Sequence, residues 1–289
     1  MKPFLAALAV AGAIILPAHA AAPVPVVGAE NFYADIVKAI GGSHVVVTAI
    51  MSNPDEDPHL FEASPSVARN LSAARLVVYN GVDYDPWVEK LLAASSNPDR
   101  QVIVAGDIVG HKAGDNPHLW YDPPTMPAVA AAVAARLEAI DPADKADYEA
   151  NLAKVDADLK KIADKAAAIK AKFAGAEVTA TEPVFGYMAA ALGLVMRNES
   201  FQLSVMNDTE PSAKDTAAME SDLKNAKVKV FFYNSQVTDP LTTHLLNIAN
   251  AAHVPVVGVS ETEPAGKTFS RWMLDQLDAT EKALAGPNS

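Results

Sequence analysis

The sequence predicts an α/β protein with two lobes, each a parallel four-stranded sheet with flanking helices, joined by one long rigid helix. Three observations carry this. Short β-branched runs alternate with helical stretches on both sides of the chain's middle, and such alternation implies parallel sheets covered by helices. A single apolar stripe runs through Pro142–Gly175. Half of the 289 residues are hydrophobic and none is cysteine, so buried cores and not disulfides must hold the fold.

The chain opens with Lys2, an apolar run from Phe4 to Leu16, and the small-x-small triplet Ala18-His19-Ala20. That is the pattern of a secretory signal over residues 1–20, removed after Ala20. Pro17 ends the run short of the roughly 20 apolar residues a membrane helix needs. The first lobe, residues 21–142, carries strands at Val24–Gly28, Val45–Ile50, Leu76–Asn80 and Gln101–Ala105, with helices at Asn31–Ile40, Ser64–Ala73 and Pro127–Ile140. The linking helix occupies residues 143–175. Tyr148, Leu152, Val155, Leu159, Ile162, Ala166, Ile169 and Phe173 recur at spacings of alternately 4 and 3, one face of a helix. Asp141-Pro142 starts it and Gly175 stops it; at 1.5 Å per residue it is a rod of roughly 45 Å. The second lobe, residues 176–289, carries strands at Glu177–Thr181, Gly193–Arg197, Val228–Tyr233 and Val254–Val259, with helices at Thr216–Asn225 and Thr242–Ala251.

Composition narrows the chemistry. With 23 Lys+Arg against 35 Asp+Glu, a net charge of −12 and no basic run, the charge balance argues against nucleic acid as a partner. The lack of cysteine excludes thiolate nucleophiles, Cys-based zinc or iron–sulfur sites, and a thioether lipid anchor at an N-terminal Cys. Any metal is held by nitrogen and oxygen.

Ligands of open parallel sheets bind beyond the carboxyl ends of strands. The second strand is followed by Asn53-Pro-Asp-Glu-Asp-Pro-His59, the fourth by Asn116-Pro-His118-Leu-Trp-Tyr-Asp-Pro, and the fifth by Glu182-Pro183. The seventh is followed by Asn234-Ser-Gln236, the eighth by Glu261-Thr-Glu263-Pro. Two histidines and several carboxylates therefore converge, and such donors suit Mn²⁺, Fe²⁺ or Zn²⁺. The competing reading makes His59 and His118 packed loop residues. His111 is a weak further candidate. Asp122 either orients a histidine or caps the following helix; Glu56 and Asp57 read as solvated loop charges. Trp120 and Tyr121 read as wall, His244 and His253 as structural, and His44 as a solvent-exposed strand start.

Asp57-Pro-His59, Asn116-Pro-His118-Leu-Trp, Thr181-Glu-Pro-Val-Phe-Gly-Tyr187, Glu210-Pro-Ser212 and the tail Val254-Pro-Val-Val-Gly-Val-Ser-Glu-Thr262 resemble the zinc/manganese cluster of metal-binding solute-binding proteins of ABC importers. The resemblance implies one divalent ion between the lobes. Its ligands would be His59, His118, Glu182 at the position that is His in zinc-type and Glu in manganese-type members, and Glu261 where Asp is usual. Glu263 competes with Glu261. Asn234 stands where many members carry Glu, which leaves it a supporting role; His111 and Asp115 are at most a remnant of the His-rich loop of other members. The implied partners are a membrane permease and an ATPase, the expected ion Mn²⁺ or Zn²⁺, with Fe²⁺ as a third choice. A periplasmic, lipid-free monomer is expected, with affinity falling as pH drops through the histidine range. Two other readings stand beside this one: a metal-dependent hydrolase with the same ligands and Glu263 or Asp57 as base, and an adhesin-like surface protein.

Overall fold

The computed structural model describes residues 22–53, 60–237 and 239–286. The leader read over residues 1–20, and Glu56, Asp57 and His59, lie outside the described residues. The first half builds β1 (Val24–Glu30), β2 (Val45–Met51), β3 (Leu76–Tyr79) and β4 (Gln101–Val104), in the order β2-β1-β3-β4. The second half repeats that order with β5 (Glu177–Ala180), β6 (Val195–Met196), β7 (Val230–Asn234) and β8 (Val256–Val259): β6-β5-β7-β8. Every pairing is parallel, with Val26 beside Val47 and Leu76 in one sheet and Val178 beside Met196 and Val230 in the other. The inner strands are buried along nearly their whole length, as sheets covered on both faces require. The strand read at Gly193–Arg197 shrinks to the two residues of β6, an edge position that leaves Val195 exposed.

The covering helices are α1 (Asn31–Gly41), α2 (Pro65–Ala73), α3 (Pro86–Ala94), α4 (Ala105–Val109) and α5 (Thr125–Ile140) before the strut, α6 (Lys145–Phe173). After it come α7 (Gly186–Ala191), α8 (Glu199–Met206), α9 (Ala213–Lys224), α10 (Pro240–Ala251) and α11 (Phe269–Ala285). α9 begins earlier than its apolar pattern because the Ser212 hydroxyl caps the Asp215 N–H at 3.1 Å. The turn from β1 into α1 works only because residue 28 is glycine: a Cβ there would lie 2.7 Å from the Ala34 nitrogen. A short 3₁₀ turn at Pro142–Asp144 leads into α6, and Gly175, with φ +85°, ends it in the left-handed conformation that favours glycine.

The α6 stripe is buried at Tyr148, Val155, Leu159, Ile162, Ala166 and Ile169, and partly buried at Leu152 and Phe173. It packs on α1 and α5 from the first half and on α11 from the second. Lys165 and Lys172 on α6 pair with Glu281 on α11 at 2.6 and 2.7 Å. One apolar core runs through both halves. Its aromatic spine joins Phe32 to Trp120 (ring centroids 4.7 Å), Tyr121 to Phe185 (5.2 Å) and Tyr121 to Trp272 (5.8 Å). Among the described residues, no helix is long and apolar enough to cross a membrane.

Candidate metal centre

The carboxyl ends of both sheets meet, and polar side chains cross the junction. Tyr84 donates to Glu261 Oε2 at 3.1 Å, Tyr121 to the Ser260 carbonyl at 3.0 Å, and Asn116 Nδ2 to the Pro183 carbonyl at 2.8 Å. Asn31 makes a reciprocal amide clamp with the backbone of Glu263, at 2.7 and 2.9 Å. Buried polar groups are tolerated when paired in this way.

Four residues read as site candidates lie together here: His118, Glu182, Glu261 and Asn234, all almost fully buried. Asn234 sits at the end of β7, where its backbone N–H bonds Thr181 Oγ1. Its amide nitrogen reaches both carboxylates, Glu261 Oε1 at 2.6 Å and Glu182 Oε1 at 3.4 Å. One donor thus spans two acids that would otherwise repel. Gln236 fixes the Glu261 loop: its Oε1 accepts the Glu261 and Thr262 N–H groups at 2.5 and 3.1 Å, and its Nε2 donates to Thr262 Oγ1 at 2.8 Å.

His118 is oriented by its own tripeptide. Asn116 Oδ1 lies 2.6 Å from His118 Nδ1 and also accepts the His118 N–H at 3.1 Å. Because Asn116 Nδ2 must donate to Pro183, the atom facing the ring is the carbonyl oxygen, which can only accept. The ring hydrogen is therefore on Nδ1, and Nε2 presents a lone pair. That Nε2 is buried, has no hydrogen-bond partner, and lies 3.6 Å from Glu261 Oε2. A buried imidazole nitrogen facing a carboxylate oxygen makes room for a cation between them, and imidazole with carboxylates is a donor set for borderline divalent ions. The residues present fit a metal.

Other candidates are placed elsewhere. Asp122 does not orient His118: it faces His111 Nε2 at 3.8 Å and accepts from Thr125 at 3.4 Å. His111 is engaged by Asp115 at 3.4 Å and by the Tyr187 ring, on the far side of Asn116. Glu263 is buried and faces Asp35; burial first and Asp35 second push its carboxyl up to about 8. His44 is no free strand start. It closes a 3₁₀ turn and pairs with Asp144 and Asp147. Trp120 and Tyr121 form the wall, with Trp120 edge-on to His118 at 5.3 Å.

The sequence reading missed several participants. Tyr84 lies over the site, and burial, then Glu261 and Glu30, push its hydroxyl well above the usual range. Behind it, Glu30 and Asp85 are both fully buried. Asp85 accepts the Asn80 and Gly81 N–H groups at 2.7 and 2.8 Å, whereas neither oxygen of Glu30 meets a donor. Burial, reinforced by the Asp85 charge, raises the Glu30 carboxyl well above the ordinary value. A strand-ending Glu-Asn pair carries no periodicity that could have flagged this.

Two matched parallel sheets on one strut, with an imidazole and two carboxylates meeting where the strands end, define a metal-binding solute-binding protein. The chain belongs to the family described as zinc-uptake complex component A, periplasmic, which it matches over residues 26–283. The manganese ABC transporter substrate-binding lipoprotein PsaA of Streptococcus mitis is 26% identical over 279 residues, covering 90% of this chain and 89% of PsaA. The periplasmic zinc binding protein TroA from Treponema pallidum shares the fold at a TM-score of 0.74 and 21% identity, covering 91% of this chain and 99% of TroA. A crystal structure of ZnuA does so at 0.71 and 23%, covering 92% and 100%. The family is one of carrier components, not enzymes, which sets aside the hydrolase reading; a laminin-binding adhesin (Lmb) from Streptococcus agalactiae shares the fold at a TM-score of 0.73 and 22% identity, a likeness of fold alone. Such components work outside the cytoplasmic membrane with a permease and an ATPase.

Proposed function

We propose that this chain captures one divalent transition-metal ion, Mn²⁺, Zn²⁺ or Fe²⁺, between its halves and delivers it to the permease of an ABC importer. His118, Glu182 and Glu261 are the ligands within the described residues, with His59 as the fourth from the loop after β2. Asn234 and Tyr84 hold the carboxylates, and Asn116 holds the imidazole. The observation that carries this reading is the unpartnered Nε2 of His118, 3.6 Å from Glu261 Oε2. Glu261, 3.6 Å from His118 Nε2, is preferred to Glu263, which faces Asp35 and whose carboxyl is pushed up by burial. Two carboxylates shift preference toward harder ions, so manganese or iron competes with zinc here. The zinc in the family's name and the manganese in PsaA's frame that choice. We place the mature chain, free of its leader and of lipid, as a monomer in the periplasm; the sequence contains no cysteine to acylate.

The test is elemental mass spectrometry of protein purified from periplasm under limiting, balanced metals, with Glu182→Ala and Glu261→Ala alongside. One equivalent of manganese or iron, lost in both variants, is the expected result. One equivalent of zinc keeps the carrier and changes its cargo. Retention in the Glu261 variant alone moves the Glu261 ligand position to Glu263 or water. No metal in the wild type, and none taken up on titration, overturns the reading.

A further inference from the structure

We infer that His44, Asp141 and Asp144 form a second divalent-cation site, of the zinc class, at the end of the first half away from the cleft. One ligand atom from each of the three lies within 4.8 Å of the others. They come from chain segments about a hundred residues apart. His44 closes the 3₁₀ turn Gly42–His44 that feeds β2, and Asp141 and Asp144 bracket the 3₁₀ turn that feeds α6. His44 Nδ1 lies 2.7 Å from Asp144 Oδ2, and Nε2 lies 3.0 Å from Asp147 Oδ2.

The set is held from below. Tyr148 is fully buried, donates to Asp141 Oδ2 at 3.0 Å, and meets the His44 ring edge-on at 5.7 Å. The ligands face solvent: the His44 side chain is 25% exposed and that of Asp144 31%. Desolvation first, and then the neighbouring Asp141, raise the Asp144 carboxyl; a cation relieves the repulsion between the two acids. The N-terminal dipole of α6 opposes a cation, but it amounts to about half a charge against three carboxylates. An imidazole nitrogen and two carboxylate oxygens, with Asp147 within reach as a third, match the donors that zinc accepts at about 2.0–2.2 Å. His44 Nδ1 and Asp144 Oδ2, in direct contact at 2.7 Å, must part to admit an ion between them, an adjustment of side chains alone.

The site is independent of the cleft. His44 precedes β2 whereas the cleft ligands follow strand ends, so seven residues of strand, about 20 Å, separate the two. The competing arrangement is a protonated His44 bracketed by Asp144 and Asp147, a surface ion pair with no metal role. The two differ in what zinc does.

The experiment is zinc titration by calorimetry at neutral pH on the mature chain, on a cleft-disabled Glu182→Ala/Glu261→Ala form, and on each with His44→Ala or Asp144→Asn added. The wild type is expected to take two equivalents, the second weaker. The cleft-disabled form keeps that weaker one, and either added substitution removes it or weakens it at least tenfold. Uptake untouched by His44→Ala, or none in a folded cleft-disabled form, overturns the site. If the cleft-disabled form does not fold, anomalous diffraction at the zinc edge from zinc-soaked wild-type crystals decides: a peak between His44 and Asp144 supports the site and its absence overturns it. Were the cleft reading wrong instead, the wild type would bind a single equivalent that His44→Ala abolishes.

Discussion

His118 can offer its Nε2 lone pair only because Asn116 takes the hydrogen on Nδ1, and Asn116 can do so only because Pro183 fixes its amide. Removing that acceptor frees the tautomer and the ring. Asn116→Ala is expected to weaken metal binding about 10–100-fold, with the fold intact, as read by titration calorimetry and circular dichroism. The Pro-His motif was legible in the sequence, but its orienter was not. Asp122 was the chemically reasonable candidate, and the turn through Pro117 folds Asn116 back onto the ring instead. Asn234 was legible as a supporting residue; that one amide spans both acids depends on how β5, β7 and β8 align. The Glu30–Asp85 pair leaves a thermodynamic signature. Glu30 has a folded value raised above its unfolded one. Its contribution is therefore fully present below the unfolded value and lost as pH rises through the folded value. Above about pH 4.5 the unfolded chain has released a proton that the folded chain keeps, so stability falls by up to about 1.4 kcal/mol per pH unit. Glu30→Gln keeps the shape of the side chain without the titration. Urea unfolding between pH 5 and 9 is expected to show a slope shallower by about one proton in the variant; parallel slopes would mean Glu30 is ionised in the folded chain.

At the scale of elements, what the sequence made legible was what periodicity encodes. The stripe from Tyr148 to Phe173 is the buried face of α6, and the β-branched runs are the inner strands. Less legible were elements defined by contact. β6 is two residues long because it pairs only with β5 at an edge. α11, which carries Phe269, Trp272 and Met273 into the core, begins at a Thr268 cap that a loop-rich stretch conceals. The β1–α1 turn is an element-scale constraint that one residue controls. A methyl at Gly28 would sit 2.7–2.9 Å from Ala34 nitrogen, Cα and Cβ, two of them backbone atoms that cannot rotate away. Gly28→Ala is expected to destabilise by about 1–3 kcal/mol through overpacking, seen as a lower urea midpoint with an unchanged slope. Because α1 starts at Asn31, which clamps Glu263, the same variant is expected to loosen the clamp between the halves.

For the whole molecule the question is whether the two halves behave as separate domains. Two sheets on a connecting helix suggest independent units, and proteins of this size commonly unfold in steps. The packing argues otherwise. Phe32 from the first half packs on Trp120 and meets Trp272 from the last helix at 6.1 Å between ring centroids, and Tyr121 packs on Phe185 and Trp272. α6 lies under both halves and contributes six buried residues to the shared core. Opening one half would expose the aromatic face of the other. Calorimetric unfolding of the metal-free chain is therefore expected to give one transition whose calorimetric and van't Hoff enthalpies agree. Trp272→Ala is expected to cost about 3–5 kcal/mol and to lower that single transition without splitting it. Two resolved transitions in the wild type, or a Trp272 variant that melts one half alone, would show that α6 tethers independent domains. A wide hinge on metal binding would then become open to the molecule; with a continuous core, the proposed capture proceeds instead through the loops at the strand ends, where Tyr84, Asn116 and Gln236 hold Glu261 and His118.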